Sequence, residues 1–263
     1  DEALRFAKHR SSFSGLNVVT VDVDQVANEF GGGVKDPSAL RDMCRMLYSR
    51  APSKFRYLLL FGDGSYDFRH VDTRTDDQNF VPTYETLESL SPIISYPSDD
   101  YFGLLDDSEV EGLRGGLEIS IGRFVCRTNA EAQNIVDKVI SYDTDPKCFE
   151  EWRLNMCFMA DDEDGNIHLD QVEELSTLFQ KSHPVYNQSK VYLDAYEQIT
   201  TPGGERYPTV TKAISDDMFK GQLVYTYLGH GGPTSLTQER VLKSSDIIDW
   251  DNQYKLPLMI TAT

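Results

Sequence analysis

LVYTYLGHGG, residues 223–232, is the stretch on which the reading of this chain turns. Six residues of apolar and aromatic character, 223–228, have the length of a buried strand. They run straight into Gly229-His230-Gly231-Gly232. A histidine between glycines at a strand end is badly placed for packing. Glycines there let the backbone approach a ligand closely and leave N–H groups to face a developing oxyanion. The plainer reading is a glycine-rich turn carrying an incidental histidine. His230 is nevertheless the first candidate for chemistry.

Working outward, apolar runs of strand length alternate with helical patterns. Downstream, 245–250 starts a short helix and 256–263 (LPLMITAT) forms a last apolar, β-prone strand. Upstream, Val210, Ile214 and Met218 share one helical face, 190–193 is a short strand, 169–180 a helix and 154–160 a strand. In the first half, 16–23 (LNVVTVDV) reads as a valine-rich strand. Asp36-Pro37 opens a helix with Leu40, Met43, Cys44 and Leu47 on one face. The run 57–61 (YLLLF) suits a central strand covered on both faces, and 117–124 (LEISIGRF) resumes strand character. Thr128 and Glu131 form a capping box before Ala132, Ile135, Val136 and Val139. Such alternation predicts an α/β fold with mostly parallel sheets and helices on both faces. The polar stretch 143–151 is the expected boundary, which gives subdomains 1–145 and 146–263. The Asp-, Pro- and Ser-rich stretch 63–100 is too long for a simple connection and reads as a functional or mobile loop.

Composition narrows the function. The chain has 263 residues, 43 acidic and 25 basic side chains, and a formal net charge of −18. That balance argues against nucleic acid, whose phosphates need Lys and Arg. No apolar run reaches the roughly 18 residues of a membrane span. Cys44, Cys126, Cys148 and Cys157 contain no CxxC, which makes a zinc framework unexpected. Cys44 on a helix face and Cys157 in mid-strand read as small buried hydrophobes. The chain opens at Asp1 without a signal peptide and stops inside an apolar strand, and so reads as a fragment.

Sites in open α/β sheets gather outside the carboxyl ends of strands. After 154–160 comes Asp161-Asp162-Glu163-Asp164-Gly165-Asn166. An EF-hand frame there puts Ala160 at position 1 and Gln171 at position 12, and fails. The segment is either a solvated acidic turn or the source of a carboxylate that orients His230. Asp63, Asp67, Asp99, Asp100, Asp106 and Asp107 flank strands; calcium as a structural ion is one use for them, solvated loops the other. Gly62-Asp63-Gly64-Ser65 lacks the lysine of a phosphate loop. His9, His70, His168 and His183 show no ligand spacing and read as structural or exposed. Ser235 lacks the strand–turn–helix context of a nucleophile elbow. A metal-dependent hydrolase built on His230 ranks last, because only one histidine is plausible.

Taken with YLLLFGDG (57–64), SDDYFG (98–103), IGRF (121–124) and ADDEDG (160–165), the His-Gly pair and the strand 256–263 resemble the gingipain family of cysteine peptidases. The resemblance spans nearly the whole chain. It implies a caspase-like three-layer α/β/α fold with two side-by-side subdomains. It also implies His230 as base and acid, Asp162 or its neighbour Asp161 as the third group, and Gly231 N–H in the oxyanion hole. The nucleophilic cysteine would follow Thr263, outside this chain. Arginine-specific members carry an Asp at the base of the specificity pocket; an ungapped register puts His168 there, which suits a sortase better than a digestive peptidase. Within the family the chain is most similar to the sortase of type IX secretion. That implies C-terminal sorting domains of secreted cargo, an anionic lipopolysaccharide acceptor and outer-membrane secretion-complex proteins as partners, at the cell-surface side of a bacterial outer membrane. No cofactor is required. The rival is a non-catalytic caspase-like binding or scaffold module.

Overall fold

The computed structural model describes residues 1–67, 71–74, 78–86, 94–109 and 112–263. In chain order its helices and strands are α1 (Glu2–Phe13), α2 (Val23–Phe30), α3 (Pro37–Arg50), β1 (Tyr57–Phe61), β2 (Tyr84–Glu85), β3 (Pro97–Ser98), β4 (Ser120–Phe124), α4 (Asn129–Thr144), β5 (Asn155–Ala160), α5 (Ile167–Ser182), β6 (Asn187–Tyr192), β7 (Ile199–Thr201), β8 (Gly204–Arg206), α6 (Pro208–Lys220), β9 (Val224–Leu228), β10 (Gly231–Gly232), β11 (Ser235–Leu236), β12 (Leu242–Lys243), α7 (Ser244–Ile248) and β13 (Leu258–Ala262). They form two compact units, Asp1–Ile140 and Ser141–Thr263. No described helix is long and apolar enough to cross a membrane.

In the first unit, α3 starts where its sequence says. The Asp36 side chain accepts the Ser38 N–H and Pro37 sits in the first turn, where its missing N–H costs nothing. Leu40, Met43 and Cys44 then pack with Leu60, Phe102 and Ile119. Two expectations fail. Residues 16–22 form no strand: Val19 and Val21 are exposed, no ladder partner meets them among the described residues, and Asp22 instead caps α2 by accepting the Asp24 N–H. Valine favours a pleated surface only when there is a sheet to join. Nor is β1 central, since it pairs in parallel with β4 alone among the described residues and is only partly buried. At α4 the capping box is half formed. Thr128 accepts the Glu131 N–H, while the Glu131 carboxylate reaches the N–H of Arg127.

The second unit carries a four-stranded, all-parallel sheet in the order β13-β9-β5-β6. The period-two alternation of β5 divides its side chains cleanly between two layers. Met156, Phe158 and Ala160 join Val172 and Leu169 of α5 on one face. Cys157 and Met159 join Val210, Ile214 and Met218 of α6, with Tyr225 and Tyr227 of β9, on the other. The chain leaves β5 toward β6 on one side, then returns through α6 to β9 on the opposite side. The reversal puts a topological switch point between the carboxyl ends of β5 and β9, the place where an open α/β sheet leaves a crevice.

Candidate active site

Asp161 and His230 are the first residues of note beyond β5 and β9, and they meet at that switch point. The sheet ladder runs one step past the strands, with Asp161 N–H donating to the Leu228 carbonyl at 3.1 Å. Asp161 Oδ2 accepts the His230 backbone N–H at 2.8 Å and faces His230 Nδ1 at 3.0 Å. The Asp161 side chain is 4% exposed and the His230 ring 71% exposed. A buried carboxylate thus fixes an imidazole whose other nitrogen, Nε2, opens to solvent. Such an arrangement sets the tautomer of a general base and stabilises the imidazolium that forms in use.

The backbone around His230 is tied as tightly as the ring. Its carbonyl accepts Tyr227 Oη–H at 2.6 Å and Thr237 N–H at 2.9 Å. Gly229 has φ +154°, and a Cβ there would collide with Asp161 Cβ and lie 2.5 Å from Tyr227 Oη. Glycine is required at this step. Burial, with Asp161 nearby, pushes the Tyr227 phenol far above its usual value, so it remains a donor.

Asp162 serves differently. It is buried, and its carboxylate accepts Tyr207 Oη–H at 2.6 Å. Burial raises its pKa; the Tyr207 hydrogen bond opposes that, and the neighbouring Asp161 charge adds to it. Glu239 completes a buried carboxylate group with Asp161 and Asp162. Its pKa is also raised, first by burial. The Glu239 loop is held by two left-handed non-glycine residues, Thr237 (φ 60°) and Arg240 (φ 58°). Sequence reasoning missed Glu239 and Tyr227. The alternation of 223–228 does place Tyr225 and Tyr227 on one face, and a buried phenol needs a partner. Nothing local to Glu239 announces it.

His168 and His230 show no ligand spacing in sequence, yet they meet in space. Their rings stand edge to face, centroids 5.2 Å apart. His168 Nδ1 lies against the Asp164 carboxylate, which also accepts the His168 N–H at 2.8 Å. Burial alone would raise the Asp164 pKa, but the N–H groups of His168, Ile167 and Asn166 together with the His168 ring hold it below the usual range. The premise that only one histidine is plausible is therefore corrected: a tight turn, with Glu163, Gly165 and Asn166 left-handed, carries α5 back so that its first turn faces the β9 loop.

Gly231 opens β10, which pairs with β11. A Cβ at Gly231 would lie 3.1 Å from Thr263 Cγ2, and Gly229 N–H donates to the Ala262 carbonyl at 3.1 Å. The C-terminal end of β13 thus reaches the His230 loop. Ser235 lies within β11, paired to β10 and β12, rather than on an elbow. The four cysteines are buried and unbridged. Burial pushes the Cys44 and Cys157 thiols up to about 12.

Five of the six strand-flanking aspartates are taken up by protein donors. Asp99 pairs with Arg123 through two bonds of 2.8 and 2.7 Å, Asp63 with Arg127 at 2.6 Å, and Asp107 with Arg45 at 2.8 Å. Asp67 accepts two backbone N–H groups, and Asp106 accepts the backbone N–H and the hydroxyl of Ser108. None of the six joins a group of three metal-type ligands among the described residues. His70 lies outside the described residues.

An Asp–His pair thus stands at the switch point of an α/β sheet, and comparison with known proteins gives its class. The sequence matches the family model for Peptidase family C25 over residues 1–263, so the chain belongs to this family, the gingipain family of cysteine peptidases. Among solved structures it is similar to the Arg-specific cysteine proteinase gingipain R (RgpB), with TM-score 0.68, 18% identity, and coverage of 98% of this chain and 50% of that one. A complex of the Porphyromonas gingivalis RgpB pro- and mature domains matches with TM-score 0.67, 17% identity and coverage of 98% and 52%. Dimeric latent PorU from the same organism matches with 39% identity over 54% of this chain and 14% of that one, TM-score 0.45. No curated protein sequence matches. The fold is therefore that of the gingipains, and the chain spans about half the length of the gingipain chains it resembles.

Proposed function

We propose that the protein is a gingipain-like cysteine endopeptidase and transpeptidase, a sortase that removes C-terminal sorting domains from type IX secretion cargo and joins the cargo to anionic lipopolysaccharide. One observation carries the peptidase part: the Asp161–His230 pair stands beside the C-terminal end of β13. On this reading a cysteine following Thr263 supplies the thiol. His230 Nε2 takes the thiol proton, the thiolate attacks the scissile carbonyl, and the oxyanion faces Gly231 N–H and the cysteine's own N–H. His230 then returns the proton to the leaving amine, which departs with the sorting domain. An amine or water attacks the acyl-enzyme, giving transfer or hydrolysis. Asp161 holds the ring throughout. Among the described residues no cysteine stands at the pair. His168, where arginine-specific members carry an acid, supports a substrate side chain other than arginine. The sorting-domain and lipopolysaccharide steps, outer-membrane location at the cell surface and secretion-complex partners rest on the sequence resemblance. No metal is needed; calcium, as a structural ion, has no step in the reaction.

The test is incubation of the full-length protein with a peptide spanning the junction of cargo and sorting domain. Cleavage is expected, with His230→Ala lowering kcat by at least about 10³-fold while thermal unfolding stays nearly unchanged. Cleavage retained in that variant removes His230 from the mechanism. Binding of the sorting domain without cleavage by the unsubstituted protein selects the scaffold reading instead.

A further inference from the structure

We infer that Glu163, Glu205 and Glu239, together with the Thr237 hydroxyl, form a calcium-binding site. The three carboxylates come from three separate segments: the turn after β5, strand β8 and the loop between β11 and β12. One oxygen of each lies within 4.8 Å of the other two. Calcium holds oxygens at about 2.3–2.6 Å, so ligands on opposite sides of it stand up to about 5 Å apart. The three carboxylates can therefore share one ion with little rearrangement. Glu163 is exposed and Glu205 half-buried, which leaves an open approach, while Glu239 forms a buried floor.

Two buried oxygens at that floor point to a ligand independently of the clustering. Glu239 is 2% exposed, and its Oε1 accepts no hydrogen bond. Thr237, 5% exposed, lies close enough to lower the Glu239 pKa, yet its Oγ1 makes no hydrogen bond. Buried polar atoms are normally satisfied, so each orphan calls for a partner. Burial raises the Glu239 pKa and the charges of Asp162 and Asp161 raise it further, which marks a field that favours a cation. Arg206, beside Glu205 in sequence, does not supply it, because its guanidinium donates to the Glu205 and Gly203 carbonyls. Carboxylates and a hydroxyl are hard oxygen donors, and the set offers no nitrogen or sulfur for zinc. Magnesium, with bonds of about 2.1 Å and a strict octahedron, fits ligands this widely spread less well than calcium. Water completes the shell on the exposed side.

Bound calcium ties the turn after β5, the β7–β8 hairpin and the 237–240 loop at one point. The run 161–166, which fails as an EF-hand, thus gives one ligand to a site whose others lie far along the chain. Thr237 N–H also holds the His230 carbonyl at 2.9 Å. Calcium therefore steadies the loop of the proposed general base, a consequence that rests on the peptidase reading. The binding itself does not.

Calorimetric titration of the full-length protein with calcium chloride, after EDTA treatment and dialysis, tests the site. Glu163→Gln and Glu205→Gln change carboxylates that reach the surface, so neither threatens folding. Each should bind one calcium fewer than the unsubstituted protein, or bind that ion at least tenfold more weakly. Magnesium at equal concentration should not displace it. Thermal unfolding near pH 8 adds a readout that changes sign. Without calcium, Glu239→Gln is the more stable protein, because a buried acid with no counter-ion is gone. With calcium about a hundredfold above its dissociation constant, the unsubstituted protein is the more stable, because it alone gains the ion. No calcium bound by the unsubstituted protein, equal count and affinity in both surface variants, displacement by equal magnesium, or an advantage that Glu239→Gln keeps in calcium would overturn the proposal. No readout uses a substrate, so a protein that binds calcium here yet cleaves nothing sinks only the peptidase reading. One that cleaves but shows the same calcium binding in all variants sinks only the calcium site.

Discussion

One oxygen of Asp161 holds His230 at two points, accepting the backbone N–H at 2.8 Å and facing ring Nδ1 at 3.0 Å. Position and tautomer of the imidazole are thus fixed by a single buried atom. Asp162, one residue on, makes neither contact and instead accepts the Tyr207 hydroxyl. The two carboxylates lie within 4.8 Å of each other, yet these neighbours of equal chemistry acquire different duties.

Asp161→Asn should therefore cost far more activity than Asp162→Asn. An amide in place of Asp161 no longer stabilises the imidazolium and can present N–H to Nδ1, favouring the wrong tautomer. The expected loss in kcat is about 10³- to 10⁴-fold, against about tenfold or less for Asp162→Asn. Steady-state kinetics on the same peptide decides. Equal losses would mean that the two carboxylates act as a unit.

Much of this site can be read from the sequence, for definite reasons. Strand β9 and its Gly-His-Gly end are local in pattern, and the helical face Val210, Ile214, Met218 is buried as its spacing requires. Asp36 caps α3 because capping involves residues two apart. What stays hidden is whatever depends on distant partners. Valines at 16–23 have the same local signal as a true strand, but no neighbour to pair with among the described residues. The choice between Asp161 and Asp162 depends on which carboxylate reaches His230, 69 residues away in sequence. His168 and Glu239 reach the site through turns made of left-handed non-glycine residues, which propensity does not foresee.

Two of the buried carboxylates, Asp162 and Glu239, set a pH dependence whose sign is fixed. Asp162 and Glu239 have pKa values raised on folding, mainly by burial. Each binds its proton more tightly in the native state, so its contribution to stability is complete below the ordinary carboxyl range of about 4 and is lost as pH rises through the raised native value. Glu239→Gln removes one of these groups and keeps its shape. It should raise Tm near pH 8, by on the order of 1 kcal/mol of stability, and should have less effect near pH 5. Thermal unfolding of both proteins across that range measures it. An equal effect at both ends would place the Glu239 proton outside the folding equilibrium.

Cys44 and Cys157 should be unreactive in the folded protein. Both are fully buried with thiols pushed up to about 12, so thiolate is scarce at pH 8 and access is closed. Iodoacetamide followed by peptide mass analysis should label neither without denaturant, and Cys44→Ala should leave peptide cleavage unchanged. Labelling of Cys157 in native buffer that also abolishes cleavage would move the nucleophile into β5.

Gly229 makes the sharpest demand on a single residue. Its φ of +154° is poorly tolerated by any side chain, and a Cβ would enter the space held by Asp161 and the Tyr227 hydroxyl. Both neighbours are bonded to His230, one through Asp161 Oδ2 and the other through the carbonyl. Gly229→Ala must therefore shift the loop away from its anchors rather than merely strain it. The expected stability loss is about 1–3 kcal/mol from backbone strain, with at least a 10²-fold fall in kcat/KM, since misplacing a catalytic group by about 1 Å costs that much. Tyr227→Phe separates the two effects, because it removes the 2.6 Å bond and adds no bulk. Its stability should fall by about 1 kcal/mol and its rate by about tenfold, as Thr237 N–H still holds the carbonyl. Denaturant unfolding and kinetics on the two variants together test the loop. If Gly229→Ala unfolds like the unsubstituted protein and cleaves as fast, the close approach of backbone, Asp161 and Tyr227 does not position His230.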